Sequence, residues 1–486
     1  MNILYYGDNL DVMKQKLKKD SVDLIYLDPP FNSKRNYNMM YKAMTGYPLS
    51  ESAEAFCDTW SLNAEKEDKL RNMEVLMKEY DVDDTYVAFW STWIKALRNT
   101  QPALLAYLVY MVERLLHMKV ILRPTGSIYL HCDPTASHYI KVMMDGIFGH
   151  KNFRNEIVWC YKTGGRSTKF FPKKHDIILW YSKSNQYIFN YNDVCTQRDF
   201  STMHEPTFID EDGKIYQRNI KNGKEYRYYQ DQGVLPNDYW IDIQALNPSA
   251  KERLGYPTQK PISLLDRIIK ASCPTDGVVF DPFCGCGTTI YSAIKNQRKW
   301  LGCDVAMLPI RLIKHQLTEK YRLVETEHFK IDGVPASFEQ AEVLMKYSPH
   351  QFQHWAIEQV NGLPTKQKSG DKGIDGRIYI DTTEGLKDMV ISVKGGQNIT
   401  TANIRELRGV LDREDKSVLA GFISLQEPTK GMREEAAQAG IWEYKGIKYD
   451  KIQLLTIQEI LEDKKTFNTP TKISIKGTTG QYSLRI

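Results

Sequence analysis

The apolar run Val22–Leu27 leads directly into Asp28-Pro29-Pro30-Phe31. A buried strand is predicted there, and it must stop where it does. Neither proline has a backbone N–H, so neither can continue a hydrogen-bonded ladder. The Asp28 carboxylate is therefore stranded at the carboxyl end of a buried strand. In open α/β sheets that edge is where ligands sit. The spacing constrains the N-terminal part of the chain to an α/β sheet with chemistry at its carboxyl edge.

A chain of 486 residues is too long for one ordinary core and predicts two to three domains. Its net charge of +5 and pI near 8.5 are compatible with nucleic acid without requiring it. Eight cysteines over this length make no disulfide framework, so a reducing compartment, the cytoplasm, is expected. The start "MNILYYGDNLDVMKQ" reaches Asp8 too early for a signal peptide. With no run of about 18 apolar residues, no membrane span is expected.

Along the chain, "NILYY", "LDVMKQKL" and "VDLIYL" predict strand, helix and strand. A long helical region is expected over Asp83–Met118. "GSIYLHCD", "NEIVWCYKTGG" and "HDIILWYSKS" give further strands. The character changes near Tyr191. Asp212-Gly213 and Asn222-Gly223 sit between β-prone, Tyr- and Lys/Arg-rich stretches, which is a strong hairpin signal. An inserted recognition element, or a solvated β-excursion, is expected there. A helix from "KPISLLDRIIKASC" follows.

The second loop of interest is "FDPFCGCGTT". Val278–Phe280 predicts a strand and Thr289–Lys295 a helix. Gly285 and Gly287 between them let a backbone approach a ligand and expose N–H groups at a helix start. Asp304 ends the next strand, where a carboxylate can hold ribose hydroxyls. Cys284-x-Cys286 has no further Cys or His at zinc spacing, so both are expected to be small structural residues.

Asp28-Pro29-Pro30-Phe31 together with Phe283-Cys284-Gly285-Cys286-Gly287 resembles the amino-methylating DNA methyltransferases. The order, catalytic loop, then recognition segment, then cofactor loop, is similar to their β group. "TQKP" at 258–261 and "GDNLDVM" near the start also match. The resemblance covers residues 1–322, with 191–254 as target-recognition segment. It implies a Rossmann-like S-adenosylmethionine-dependent methyltransferase fold with an inserted β-rich recognition segment, a double-stranded DNA partner and a homodimer. The implied cofactor residues are Asp8, Lys260, Asp281, Phe283, Gly285, Gly287, Thr288 and Asp304. Lys260 is also open to a DNA phosphate or a plain surface position. Asp28, Pro29, Pro30 and Phe31 are the implied catalytic set.

The chemistry fits those residue types. The lone pair of an exocyclic amine is delocalised into the base. Asp28 and the Pro29 carbonyl offer two acceptors that pull the nitrogen toward tetrahedral geometry. Phe31 would stack on a base flipped from the duplex. Asp at the first position resembles the adenine-N6 enzymes; Ser is commoner in the cytosine-N4 ones. RNA or protein amines are the alternative targets of such loops. Trp159, Tyr161 and Lys162 match a strand-loop of the same family, expected to help hold the base, against a core role for Trp159.

In the last third, "QFQHWAIEQVNG" predicts a helix with Phe352, Trp355, Ala356 and Val360 on one face. "GDKGIDGRIYI" and "MVISVKGG" predict two strands. An Asp on one and a Lys on the next is the spacing of a metal-dependent nuclease, and as bare spacing it is weak. Together with "IRELRGVLDRE" and "AGFISLQEPTKGMREEA", they resemble the Mrr-like restriction endonuclease domain of the PD-(D/E)xK fold. The resemblance implies a linker at 323–337, an α/β nuclease-like domain at 338–486, and Asp375 and Lys394 as catalytic residues, with Asp375 on Mg²⁺. Ser392 stands where that family usually has Glu or Gln, and Glu358 on the preceding helix is the expected substitute. The chain is expected to combine modification and restriction of DNA. A nuclease-derived domain that only grips DNA or a partner is the alternative.

Overall fold

The computed structural model describes residues 1–30, 37–39, 41–42, 53–56, 60, 62, 64–162, 167–198, 200, 206–247, 249–254, 256, 259–365, 373–470 and 476–477. Among these, nine strands share one sheet: β1 (Asn2–Tyr6), β2 (Val22–Leu27), β3 (Leu122–Cys132), β4 (Phe153–Cys160), β5 (His175–Ser182), β6 (Tyr239–Trp240), β7 (Val278–Asp281), β8 (Lys299–Asp304) and β9 (Phe329–Asp332). Their order is β6-β4-β5-β3-β2-β7-β8-β1-β9. From β3 to β9 every pairing is parallel. Strand β5 runs antiparallel to both of its neighbours.

The sheet is doubly wound because its central strands are apolar on both faces. All six residues of β2 are buried. Leu24 and Tyr26 face one core and Ile25 and Leu27 the other, as two-sided burial of a parallel strand requires. Helices α1 (Asn9–Gln15) and α2 (Pro102–Ile121) cover one face. Helices α3 (Ile262–Ser272), α4 (Thr288–Lys295) and α5 (Met307–Glu319) cover the other. The helical region expected over 83–118 is two helices, 84–100 and α2, divided where Pro102 starts a new helix after Gln101.

The insert between β5 and β6 is a separate three-stranded antiparallel sheet, 207–209, 215–221 and 224–229. Asn222 and Gly223 both have positive φ, 49° and 73°, between the paired residues Lys221 and Lys224. That is the two-residue hairpin its Asn-Gly predicts.

The C-terminal half has its own sheet. Strands β10 (Gly376–Thr382) and β11 (Gly385–Lys394) are antiparallel, and β12 (Ser417–Ser424) and β13 (Ile452–Thr456) continue it in parallel. Helix α6 (Pro349–Gln359) joins the two halves. Its Trp355 and Ala356 share a hydrophobic core with Ile310 and Ile313 of α5. The expected linker at 323–337 is corrected here. It contains β9, whose Phe329 is fully buried and which pairs with β1 as an ordinary sheet strand. Among the described residues no helix is long and apolar enough to cross a membrane.

Candidate active site

The carboxyl ends of four neighbouring strands, β2, β7, β8 and β1, surround one cavity of about 320 Å³. Register explains the convergence. Val279 pairs with Leu24, and Phe280 with Ile25, so Asp281 and Asp28 leave adjacent strands. Phe280 also pairs with Leu301, which brings Asp304 to the same edge. Asp8, just after β1, completes the row, and all four aspartates line the cavity.

Asp28 is held by Lys260, whose ammonium donates to its Oδ2 at 2.5 Å. Lys260 is only 8% exposed. Lys260 lines the cavity, and its ammonium faces Asp28. The other oxygen, Asp28 Oδ1, is buried and has no hydrogen-bond partner among the described residues. A buried acceptor left open costs free energy unless a ligand supplies the donor. Pro30 also lines the cavity. Phe31 lies outside the described residues.

The glycine loop is tied down from both sides. Asp304 accepts from the Gly285 N–H at 3.0 Å through Oδ2 and from the Ala306 N–H at 2.9 Å through Oδ1. Asp281 accepts from the Phe283 N–H at 3.0 Å and from the Thr289 hydroxyl at 2.5 Å. Gly287 caps α4 with φ +87°. Thr288 opens that helix and lines the cavity, as do Phe283 and Gly285. Burial pushes the carboxyls of Asp281 and Asp304 up to about 7. Cys284 and Cys286 are buried thiols pushed well up by the same cause. Among the described residues no group of His, Cys, Asp or Glu is arranged to hold a metal.

These residues fit S-adenosylmethionine by charge. Among the described residues the cavity is lined by Asp8, Asp28, Asp281 and Asp304, with Lys260 the one basic residue on it. A ligand with a sulfonium, an ammonium and ribose hydroxyls supplies the cations and donors such a lining lacks.

Asp8 carries a second duty that sequence reading missed. It caps α1 through Leu10 N–H at 2.8 Å and pairs with the buried Arg114 at 2.7 Å. Arg114 also donates to Asn9, whose amide donates to Pro282 O at 2.8 Å. Arg114 thereby ties the β1 loop to the glycine loop. Trp159 is 3% exposed and donates its indole N–H to Ile243 O at 2.7 Å, a core position. Tyr161 instead reaches Asp176, 3.1 Å away.

In the C-terminal half Asp375 immediately precedes β10. Its Oδ2 accepts from Val393 N–H at 2.7 Å, one residue before Lys394. Ser392 is buried on the same strand. Glu358 sits on α6. Its backbone oxygen accepts from Arg311 of α5 at 3.0 Å, and its carboxyl, pushed up to about 7 by burial, is opposed only by Arg311. With serine at 392 these side chains do not make a metal-ligand set among the described residues.

A family profile described as DNA methylase matches residues 22–315, more than half of the sequence. The chain belongs to the DNA methylase family. A second profile, described as restriction endonuclease, matches 344–462. The molecule is thus a fusion of a Rossmann-like methylase domain and an Mrr-like α/β domain. The type II methyltransferase M.EcaI of Enterobacter cloacae is 28% identical over 43% of this chain and 56% of its own length. This chain therefore spans little more than half of that relative. DNA adenine methyltransferase YhdJ of Escherichia coli is 25% identical over 62% of this chain and 78% of its own. Among solved structures, the PvuII cytosine-N4-specific DNA methyltransferase has a TM-score of 0.36 at 13% identity, covering 67% of this chain and 88% of that one.

Proposed function

We propose that the chain transfers a methyl group from S-adenosylmethionine to the exocyclic amine of a base flipped out of duplex DNA, with adenine N6 as the target. The observation that carries this reading is Asp28 Oδ1, a buried acceptor without a partner among the described residues, on the same cavity as the Phe283–Gly287 loop. The bound cofactor supplies an electrophilic methyl. Asp28, oriented by Lys260, accepts an N–H of the amine and holds its lone pair toward that methyl. The Pro29 carbonyl and Phe31 take the acceptor and stacking roles that their motif implies. The insert at 207–229 is assigned to reading the duplex. The setting is the cytoplasm, with a homodimer as the assembly.

The test is incubation of duplex DNA with labelled S-adenosylmethionine, followed by digestion to nucleosides. N6-methyladenine supports the reading in full. N4-methylcytosine moves the target base while keeping the chemistry, and label in RNA or protein alone rejects DNA.

A second activity, DNA cleavage by the C-terminal domain, is favoured by the Asp375 and Lys394 pair at the ends of adjacent strands and opposed by Ser392. Discrete cutting of unmodified DNA with Mg²⁺, lost in both Asp375→Ala and Lys394→Ala, would establish restriction in the same chain. Intact methylation without cutting would leave the domain to grip DNA or a partner.

A further inference from the structure

A methylated exocyclic amine must shed a proton. The nitrogen lone pair forms the new N–C bond as the S–C pair returns to sulfur, and the nitrogen is left cationic with one hydrogen too many. A protein acceptor within reach of the amine can take that proton. Of the cavity groups, Lys260 is an ammonium that accepts nothing, and its partner Asp28 holds the amine. Asp281 and Asp304 are turned to backbone N–H groups of the glycine loop and its flank.

Another group is placed for it. Strand alternation puts Tyr26 on the same face as Asp28, two residues earlier, and Tyr26 lines the cavity. Its hydroxyl lies 2.9 Å from His131 Nδ1 on β3. His131 Nε2 lies 3.1 Å from Asp176 Oδ2 on β5, and Asp176 Oδ1 accepts from the Tyr161 hydroxyl. The register Leu27 to Leu130 sets His131 abreast of Asp28 on the neighbouring strand. The imidazole is fully buried, and the carboxylate at the outer end is 16% exposed.

The hydrogen-bond pattern fixes the protons. A carboxylate only accepts, so His131 carries its hydrogen on Nε2 and takes the Tyr26 hydroxyl hydrogen at Nδ1. The Tyr26 oxygen keeps lone pairs for the cavity. We propose that Tyr26, His131 and Asp176 form a proton relay for the methylated amine. As the amine N–H breaks, its electron pair stays on nitrogen and its proton moves to the Tyr26 oxygen. The Tyr26 hydroxyl proton passes to His131 Nδ1, and the resulting imidazolium is balanced by Asp176. The logic is that of a nucleophile–His–Asp triad with the phenol in the first place. After product leaves, the imidazolium returns its proton to water.

The surroundings agree. Burial, reinforced by Asp28, Asp281 and Asp176, holds the Tyr26 phenol well above its ordinary range, so it stays protonated and relays without forming phenolate. Burial alone would raise Asp176, but the His131 hydrogen bond and charge, Lys260 and the Tyr161 hydroxyl outweigh it and keep it ionised. The charged groups around the relay are thus Asp28, Asp281 and Asp176 at the phenol, and Lys260 at Asp176.

This inference rests on reading the cavity as a methyl-transfer site, and the experiment separates the two. Single-turnover methylation of duplex DNA by the full chain is measured across pH for wild type, Tyr26→Phe, His131→Gln and Asp176→Asn. Cofactor binding and thermal melting are measured alongside. Tyr26→Phe is expected to slow transfer by ~10²-fold with cofactor affinity kept, and to flatten the acid limb of the profile. Asp176→Asn is expected to slow transfer and move that limb to lower pH, because the imidazolium loses its counter-charge. A purely structural network would shift melting and leave the profile unmoved. Tyr26→Phe at the wild-type rate with the wild-type limb overturns the relay and leaves Asp28 or water as the sink. A wild type that binds cofactor but methylates no nucleic acid overturns the reading of the cavity, and the relay with it.

Discussion

Lys260 and Asp28 meet as an ion pair across 232 positions of sequence, with side chains only 9% and 17% exposed. Removing one partner of such a pair leaves the other buried and uncompensated, which costs ~3–5 kcal/mol when burial is complete. Lys260→Met is expected to lower the melting temperature and to cut methyl transfer sharply, because the Asp28 carboxylate loses its orientation. Asp28→Ala removes the acceptor itself. It is expected to abolish transfer while calorimetry still detects cofactor binding. Retained methylation in Asp28→Ala would remove this residue from the mechanism.

The buried carboxyls of Asp281 and Asp304, both pushed up to about 7, set a pH dependence with a definite sign. In the folded chain they hold protons that an unfolded chain releases near pH 4. Stability from these groups is therefore full below that pH and is lost as pH rises toward 7. Donors and a cation in the cavity favour the ionised forms, so cofactor binding should release protons. Affinity for S-adenosylmethionine is expected to tighten as pH rises from 5 to about 7.5. Titration calorimetry in buffers of different ionisation enthalpy reads the protons directly. Asp304→Asn should flatten the dependence; an unchanged slope in that variant would assign the effect elsewhere.

Gly287 has φ +87°, and a Cβ there would sit 2.8 Å from Ile313 and 3.1 Å from the Tyr291 ring. Both the backbone conformation and the packing exclude a side chain. Gly287→Ala is expected to cost ~1–3 kcal/mol and to weaken cofactor binding, because it displaces the first turn of α4. Chemical denaturation and a binding isotherm measure the two losses. A variant with unchanged values for both would mean that the loop tolerates a shift.

The strands that end in Asp28, Asp281 and Asp304 were legible because each apolar run stops at a proline, a glycine or a carboxylate. The hairpin at Asn222-Gly223 was legible because a two-residue turn with positive φ needs those residue types. Pairing between distant segments was not. Lys260 next to Asp28, Arg114 next to Asp8 and the row Tyr26, His131 and Asp176 all depend on the strand order, which local pattern does not encode. Each is a buried polar side chain inside an apolar stretch, and that was the available signal: His131 in "GSIYLHCD" and Arg114 within α2 need partners. Strand β9 escaped notice because four residues, Phe329–Asp332, in a polar stretch carry no period long enough to detect.

The junction between the two halves makes the last prediction. Glu358 Oε2 is buried and has no hydrogen-bond partner among the described residues, and burial pushes the carboxyl up to about 7 against the opposing charge of Arg311. Burial, reinforced by the same acid, raises the Tyr6 phenol, and Tyr6 donates its hydroxyl to Gln351 O on helix α6. The folded pKa lies above the ordinary glutamate value, so this group stabilises the junction at low pH and stops doing so as pH passes through 7. Glu358→Gln removes the ionisation while keeping the shape. It is expected to match wild type near pH 4 and to exceed it above pH 7.5, by an amount of the order of 1–3 kcal/mol. Denaturant melts of the full chain at the two pH values give the comparison. Equal stability of variant and wild type at high pH would show that Glu358 finds a donor and that its ionisation costs the junction nothing.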